Sequence, residues 1–167
     1  IEREGRAVLL TSEPTDGPVG SWIRALLRAG EAPLPPSALQ LLFTADRAWH
    51  CEHVITPALR VGTEIICDRF TPSTLIYGAA QSLPVSWLEN LNKNFIQPDR
   101  MFLLLPPLTI CRERIARREQ RDFLEERELQ EQIYEGYEIF ARAHPECPRV
   151  DTSGSKEEVA KHILALL

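Results

Sequence analysis

The sequence predicts an α/β fold, a mainly parallel sheet with helices on both faces. Three observations predict it. Short apolar runs of strand length recur at 7–11, 64–67, 101–105 and 149–152. Between them lie longer stretches whose apolar residues recur at helical spacing. The run Glu64-Ile65-Ile66-Cys67 has almost no polar alternation, the pattern of a strand covered on both faces, as in a parallel sheet. Strands alternating with helices indicate βα units.

The elements follow in order. Ala7 to Thr11 is the first strand, and Ser12 to Gly20, with two prolines and two glycines, is a loop. Trp22, Ile23, Leu26 and Leu27 then mark a helix that ends by Gly30. Glu31 to Pro36 is a proline-rich connector. Ser37 is a good N-cap for a long, part-buried helix with Leu39, Leu42, Phe43, Val54 and Ile55 on its apolar face. Pro57 should kink or restart that helix, because proline lacks a backbone donor. Gly62 should stop it after Arg60. Beyond the strand at 64–67, the segment 78–84 reads as a loop and Leu83 to Phe95 as a helix. Pro98-Asp99 turns the chain into the strand Met101 to Leu105, and Pro106-Pro107 opens the next helix. Ile110 to Glu138 is highly charged, with Ile115, Leu129, Ile133, Tyr137 and Phe140 as an apolar stripe. It divides into two helices near Arg121. After the strand at Arg149 to Thr152, Ser155 and Glu158 form a capping box for a final helix with Val159, Ile163 and Leu166 facing in.

At 167 residues the chain is expected to be a single domain spanning 1–167. Its 44% apolar and 26% charged residues are those of a globular protein. A net charge of -5 gives no bulk attraction to nucleic acid or to anionic membranes. No apolar run approaches the ~20 residues that span a bilayer, and the charged stretch Glu2 to Arg6 is not a signal peptide. Cys51, Cys67, Cys111 and Cys147 lie far apart without a Cys-x-x-Cys, and read as reduced thiols in a cytosol-like compartment. His50, Cys51, Glu52 and His53 are metal-ligand types, but no second cluster completes a tetrahedral site.

The chemistry concentrates where the strand at 64–67 ends. Asp68-Arg69-Phe70 is followed by Thr71, Ser73, Thr74 and Tyr77. In open α/β sheets ligands bind beyond the carboxyl ends of the strands. A carboxylate, a guanidinium and several hydroxyls there suit an anion or a metal–phosphate group, since the planar arginine fork matches phosphate oxygens in pairs. The plainer reading is a salt bridge at a strand terminus. Phe43 and Arg47, four apart, project from one helix face, where a phenylalanine is ordinarily core. Arg114, Arg117, Arg118 and Arg121, with Asp122 and Glu125, form a charge run that reads plainly as a solvated helix with ion pairs.

Five segments in order carry a resemblance. LLFTADR at 41–47 and DRF at 68–70, the latter followed by Ser73, Thr74 and Tyr77, resemble thymidylate kinase. So do TSEPTDGPVGSWIR at 11–24, PDRMFLLLPPLTICRERIARR at 98–118 and VDTSGSKEEVAKHI at 150–163. The resemblance spans nearly the whole chain. It implies a fold of the P-loop nucleoside monophosphate kinase type and transfer of the γ-phosphoryl group of ATP to dTMP with Mg2+. It further implies a cytoplasmic protein, usually a homodimer, with neither nucleic acid nor membrane as partner.

On this resemblance Arg69 holds the acceptor monophosphate and Asp68 organises magnesium and phosphate. Phe43 stacks on thymine, Arg47 donates to its edge, Thr74 contacts the base, and Tyr77 crowds the sugar 2′ position. Glu13 matches the family's Arg-Glu-Pro, with Ser12 replacing the arginine; Arg24 is a possible substitute, and a solvated helix arginine is its plainer reading. Gln81, with Glu13, is a further dTMP-binding candidate on this resemblance, at a position that varies in the family. Arg117 and Arg121 would stabilise the transferring charge from a short lid at 114–125, with Glu125 a lid-proximal acid and second magnesium candidate.

The Gly-x-x-x-x-Gly-Lys-Ser/Thr run of a P-loop does not occur in the 167 residues. IEREGRAVLL matches the end of the family's first helix and its second strand. The expectation is therefore that the native protein has a first strand and P-loop of about 30 residues ahead of it. Without that central strand two inner strand edges would be unpaired, at ~1–3 kcal/mol per orphaned group. The alternative reading is a non-catalytic relative that binds a nucleotide or a partner.

Overall fold

The computed structural model describes residues 5–28, 34–118 and 122–167. The chain divides into two units, Ile1–Ile96 and Gln97–Leu167. In the first, strand β1 (Val8–Ser12) pairs in parallel with β2 (Glu64–Asp68), Leu9 opposite Ile65 and Ser12 opposite Asp68. A parallel pair requires a crossover. Here it runs through α1 (Pro18–Leu27), α2 (Pro36–His50) and α3 (Thr56–Arg60), and α4 (Thr71–Ala80) and α5 (Val85–Asn92) follow β2. The helices bury Ile23, Leu27, Leu39, Ile55, Ile76 and Leu88.

Local chemistry explains most boundaries. Proline occupies the first turn of α2, whose N-cap is Pro35, so the helix begins ahead of the expected Ser37 cap. A proline costs little there because a first-turn N–H has no helical acceptor. Before Pro57 the backbone widens into a π-helical turn, Cys51–Ile55, and α3 restarts the helix. The missing donor and the bulk of the ring force that break. Gly62, at φ 78, then closes α3, its N–H donating to Leu59 O at 3.0 Å.

Two expectations are corrected. Residues 78–80, expected in a loop, continue α4. Within that helix Gly78 leaves room for Leu88: a Cβ at 78 would lie 2.6 Å from Leu88 Cδ1. Nor is β2 covered on both faces within its unit. Leu10 and Ile66 oppose each other, and they are 72% and 49% exposed. An unbroken apolar run does not distinguish the face that its own unit packs against.

In the second unit β3 (Leu103–Leu104) pairs in parallel with β4 (Arg149–Val150), both shorter than expected. Helix α6 (Leu108–Ala116) starts directly after Pro106-Pro107, and α7 (Arg127–Ala143) follows a 3-10 turn at Phe123–Glu125. Leu103, Leu105 and Cys147 form a core against Met101, Tyr134, Tyr137 and Phe140. The expected capping box opens α8 (Lys156–Ala165): Glu158 N–H donates to Ser155 Oγ at 3.2 Å, and Ser155 N–H to Glu158 Oε2 at 2.8 Å. All four expected strands are present, and among the described residues they form two parallel pairs. No described helix is long and apolar enough to cross a membrane.

Candidate functional site

Besides Gln40, helix α2 buries three ionisable side chains, Asp46, Arg47 and His50, at 1%, 2% and 0% exposure. Burying charge is costly unless each group is paired, and each partner set includes the segment from Thr11 to Thr15. Asp46 accepts from Thr15 N–H at 2.7 Å and from Thr15 Oγ1 at 2.6 Å. Arg47 Nη2 donates to Glu13 Oε2 at 2.7 Å and to Thr74 Oγ1 at 3.1 Å, and Nη1 donates to Asn92 Oδ1. The Asn92 amide is oriented by its own donation to Leu88 O at 2.8 Å. His50 Nδ1 lies 3.1 Å from Glu13 Oε1, and its Nε2 lies 2.8 Å from Thr11 Oγ1. The Arg47 guanidinium sits 4.9 Å from the Phe70 ring centroid and 5.9 Å from that of Phe95, within cation–π range. After all these contacts Arg47 Nε, also buried, has no hydrogen-bond partner among the described residues.

The loop carrying Glu13 is clamped from α1. Arg24 Nη2 donates to Pro14 O at 2.5 Å and Nε to Thr15 O at 3.4 Å, with Asp16 at 3.6 Å. Arg24, its side chain 37% exposed, thus holds loop carbonyls. Gly20 presses on the same loop, where a Cβ would lie 2.5 Å from Thr15 N. Backbone cannot yield as a side-chain end can, so Gly20→Ala is expected to destabilise by about 1–3 kcal/mol, read as a lower urea midpoint.

Asp68 ends β2 exposed, and its carbonyl accepts from Glu13 N–H at 3.0 Å, tying the two strand ends together. Arg69 follows at φ 64, the left-handed region that a non-glycine residue enters at a cost. Its Nη1 donates to Tyr77 OH at 2.9 Å, and its guanidinium lies 5.4 Å from the Tyr77 ring centroid. Helix α4 begins two residues later, with Thr71 Oγ1 buried and unpartnered among the described residues. A guanidinium beside a helix N-terminus is a ready anion site.

The family sequence model described as Thymidylate kinase matches residues 1–163. The chain belongs to the thymidylate kinase family. It is 37% identical over 175 residues to the "Probable thymidylate kinase" of Thermococcus kodakarensis, covering all of this chain and 85% of that protein. A protein of the same description from Pyrococcus abyssi is 38% identical over 172 residues, with all of this chain and 84% of that protein covered. The "Thymidylate kinase" of a Synechococcus species is 37% identical over 174 residues, with all of this chain and 83% of that protein covered. Membership in the thymidylate kinase family implies ATP-dependent phosphoryl transfer with dTMP as acceptor.

Within the first unit the structure brings several residues singled out by the thymidylate kinase resemblance into two hydrogen-bonded groups, Glu13–Arg47–Thr74 and Arg69–Tyr77. Phe43, half-buried, lies one helical turn before Arg47 on the same face of α2. Gln81 Nε2 donates to Tyr77 O at 3.1 Å, so that amide nitrogen closes the end of α4.

The residues expected to form a lid belong to the second unit. Arg117 is 81% exposed and faces Glu113 at 4.0 Å. Arg121 lies outside the described residues. Glu125 pairs with Arg118 and accepts from Asp122 N–H at 3.3 Å in a capping box, which engages its carboxylate locally.

Sequence reasoning missed His50 and Asn92 as parts of this network. The run Asp46, Arg47, His50 at three- and four-residue steps was a signal for a shared polar face; Asn92 had none. His50 and His53 do not converge: His53 stacks on Trp49 at 4.9 Å, and its Nδ1 lies 3.0 Å from Trp49 O. The four cysteines are free. Burial, reinforced by the Glu13 carboxylate, pushes the Cys51 thiol up to about 11 and that of Cys67 up to about 12. Neither is a thiolate nucleophile at neutral pH.

Proposed function

We propose that this chain carries the acceptor side of a dTMP kinase, binding dTMP in its first unit and offering the 5′-phosphate to the γ-phosphoryl group of ATP, to give dTDP. The observation that carries this reading is Arg69, a non-glycine residue at φ 64, aimed from the end of β2 beside the N-terminus of α4. Arg69 takes the monophosphate oxygens, and the first-turn N–H groups of α4 add donors. Phe43 is the platform for the base, worth on the order of 1–3 kcal/mol. Arg47 and Thr74 address its edge, with Glu13 holding Arg47. Tyr77, tied to Arg69, fills the space of a ribose 2′-hydroxyl.

Asp68 is an exposed carboxylate at a strand end, a donor type that suits a hard cation. Magnesium is commonly held by one or two carboxylates together with substrate phosphates, and Asp68 is the residue that would hold it. When bound, the ion neutralises phosphate charge. Glu125 is the second candidate in the same reading, although its carboxylate is engaged locally. Arg117 and Arg121 belong to a short lid that adds positive charge. No covalent intermediate is required, because positioning and charge neutralisation supply the catalysis. The same reading makes the protein a cytoplasmic homodimer.

A coupled assay of ADP formation on the full-length protein tests this. Turnover is expected to depend on dTMP, with the ribonucleotide counterpart at least about tenfold poorer, the scale of a single misfitted polar group. Binding of dTMP without turnover would favour the non-catalytic alternative. A protein that binds no dTMP would overturn the reading altogether.

A further inference from the structure

We propose that His50 is a positioning residue for base recognition, acting through Glu13 to aim the Arg47 guanidinium. The inference rests on the dTMP-binding reading above and adds a residue that touches no substrate.

The argument starts from the Glu13 carboxylate. Oε2 accepts from Arg47 Nη2 at 2.7 Å, and Oε1 faces His50 Nδ1 at 3.1 Å. The terminal torsion of glutamate is broad, so a single hydrogen bond would leave the carboxylate free to swivel. A second bond to the other oxygen fixes its plane. A glutamate paired with an always-charged guanidinium only accepts; His50 Nδ1 therefore carries a proton whether the ring is neutral or charged. Nε2 reaches Thr11 Oγ1 at 2.8 Å, which sets the ring's rotation.

The network continues through Arg47. Nη1 is held by Asn92 and Nη2 by Glu13 and Thr74, while the buried Nε has no partner among the described residues. An unmade hydrogen bond on a buried charged group is costly. It marks Nε–H as the donor left for a ligand. Its direction follows from the plane of the guanidinium, which Glu13 and Asn92 set. His50, at 0% exposure, supports that plane through the other carboxylate oxygen, Glu13 Oε1.

A histidine that merely fills space would be indifferent to which ring atom a substitute reproduces. Asparagine places its amide nitrogen as many bonds from Cβ as Nδ1, and glutamine as many as Nε2. His50→Asn therefore retains a donor for Glu13, whereas His50→Gln retains only the partner of Thr11. The probes are dTMP and 2-deoxyribose 5-phosphate, which keeps the phosphate and sugar but has no base for Arg47 to address.

In titrations of the full-length protein, His50→Gln is expected to weaken dTMP binding by about tenfold or more, the scale of one hydrogen bond to a charged group. His50→Asn should stay within about threefold of wild type, the scale of a neutral contact. Both variants should bind 2-deoxyribose 5-phosphate as the wild type does. Nitrogen-resolved NMR of the wild-type imidazole should show the proton on Nδ1, a readout that needs no variant. The inference fails if Nδ1 carries no proton, if His50→Gln binds dTMP as wild type does, or if each variant weakens both ligands equally. A wild type that binds no dTMP overturns the underlying reading as well; one that binds it while His50→Gln is unaffected overturns this inference alone.

Discussion

Replacing Arg47 by methionine is expected to lower the free energy of unfolding by about 3–5 kcal/mol, the cost of leaving one partner of a buried ion pair uncompensated. The side chains of Arg47 and Glu13 are 2% and 5% exposed, so neither charge can turn to water. The same change also leaves the Asn92 oxygen and the Thr74 hydroxyl without their donor. A double-mutant cycle in urea checks the mechanism. Glu13→Leu alone should be costly, but combining it with Arg47→Met should recover about half of the loss or more, because the stranded charge disappears with its partner. A loss below about 1 kcal/mol for Arg47→Met would be the behaviour of a surface pair and would refute the burial argument. The Arg117–Glu113 pair offers that contrast within the same chain. At 81% and 60% exposure it is screened by water and contributes little.

At Arg69, stability and function are expected to move in opposite directions. Glycine adopts a positive φ without steric cost, so Arg69→Gly should leave the fold unchanged or stabilise it by up to about 1 kcal/mol. The same substitution should reduce kcat/KM for dTMP about a hundredfold, equivalent to about 2.7 kcal/mol of lost transition-state binding. Arg69→Lys keeps the charge but not the planar fork, and should fall between the two. Steady-state kinetics with dTMP and urea unfolding of the same three proteins make the comparison. A glycine variant with kcat/KM within about threefold of wild type would show that no charged hydrogen bond was lost, and the phosphate role would fall with it. The left-handed backbone would then be only a strand-end turn. Arg69 donates at 2.9 Å to Tyr77, the residue proposed to fill the space of a ribose 2′-hydroxyl, so Arg69→Gly should also relax discrimination against the ribonucleotide.

What could be read from the sequence was local. Pro57 breaks α2 and Gly62 closes α3 because a missing donor and a positive φ act within one turn of the backbone. Ser155 and Glu158 satisfy each other three residues apart. Asp68-Arg69 could be singled out as a candidate because a strand's carboxyl end is visible as the end of an apolar run. The order of the family segments was equally legible, since it requires no knowledge of contacts. What only the tertiary structure decided was the pairing of buried polar groups. Arg47 finds Glu13 34 residues away and Asn92 45 residues away, and His50 meets Glu13 across 37. Tertiary packing likewise determined that Leu88 sits against Gly78 and that Leu10 and Ile66 lie exposed. The physical reason is one of range. Caps, breaks and periods are set by covalent neighbours, whereas a buried charge is satisfied by whatever the register of β1 on β2 and the packing of α2 bring within about 3 Å.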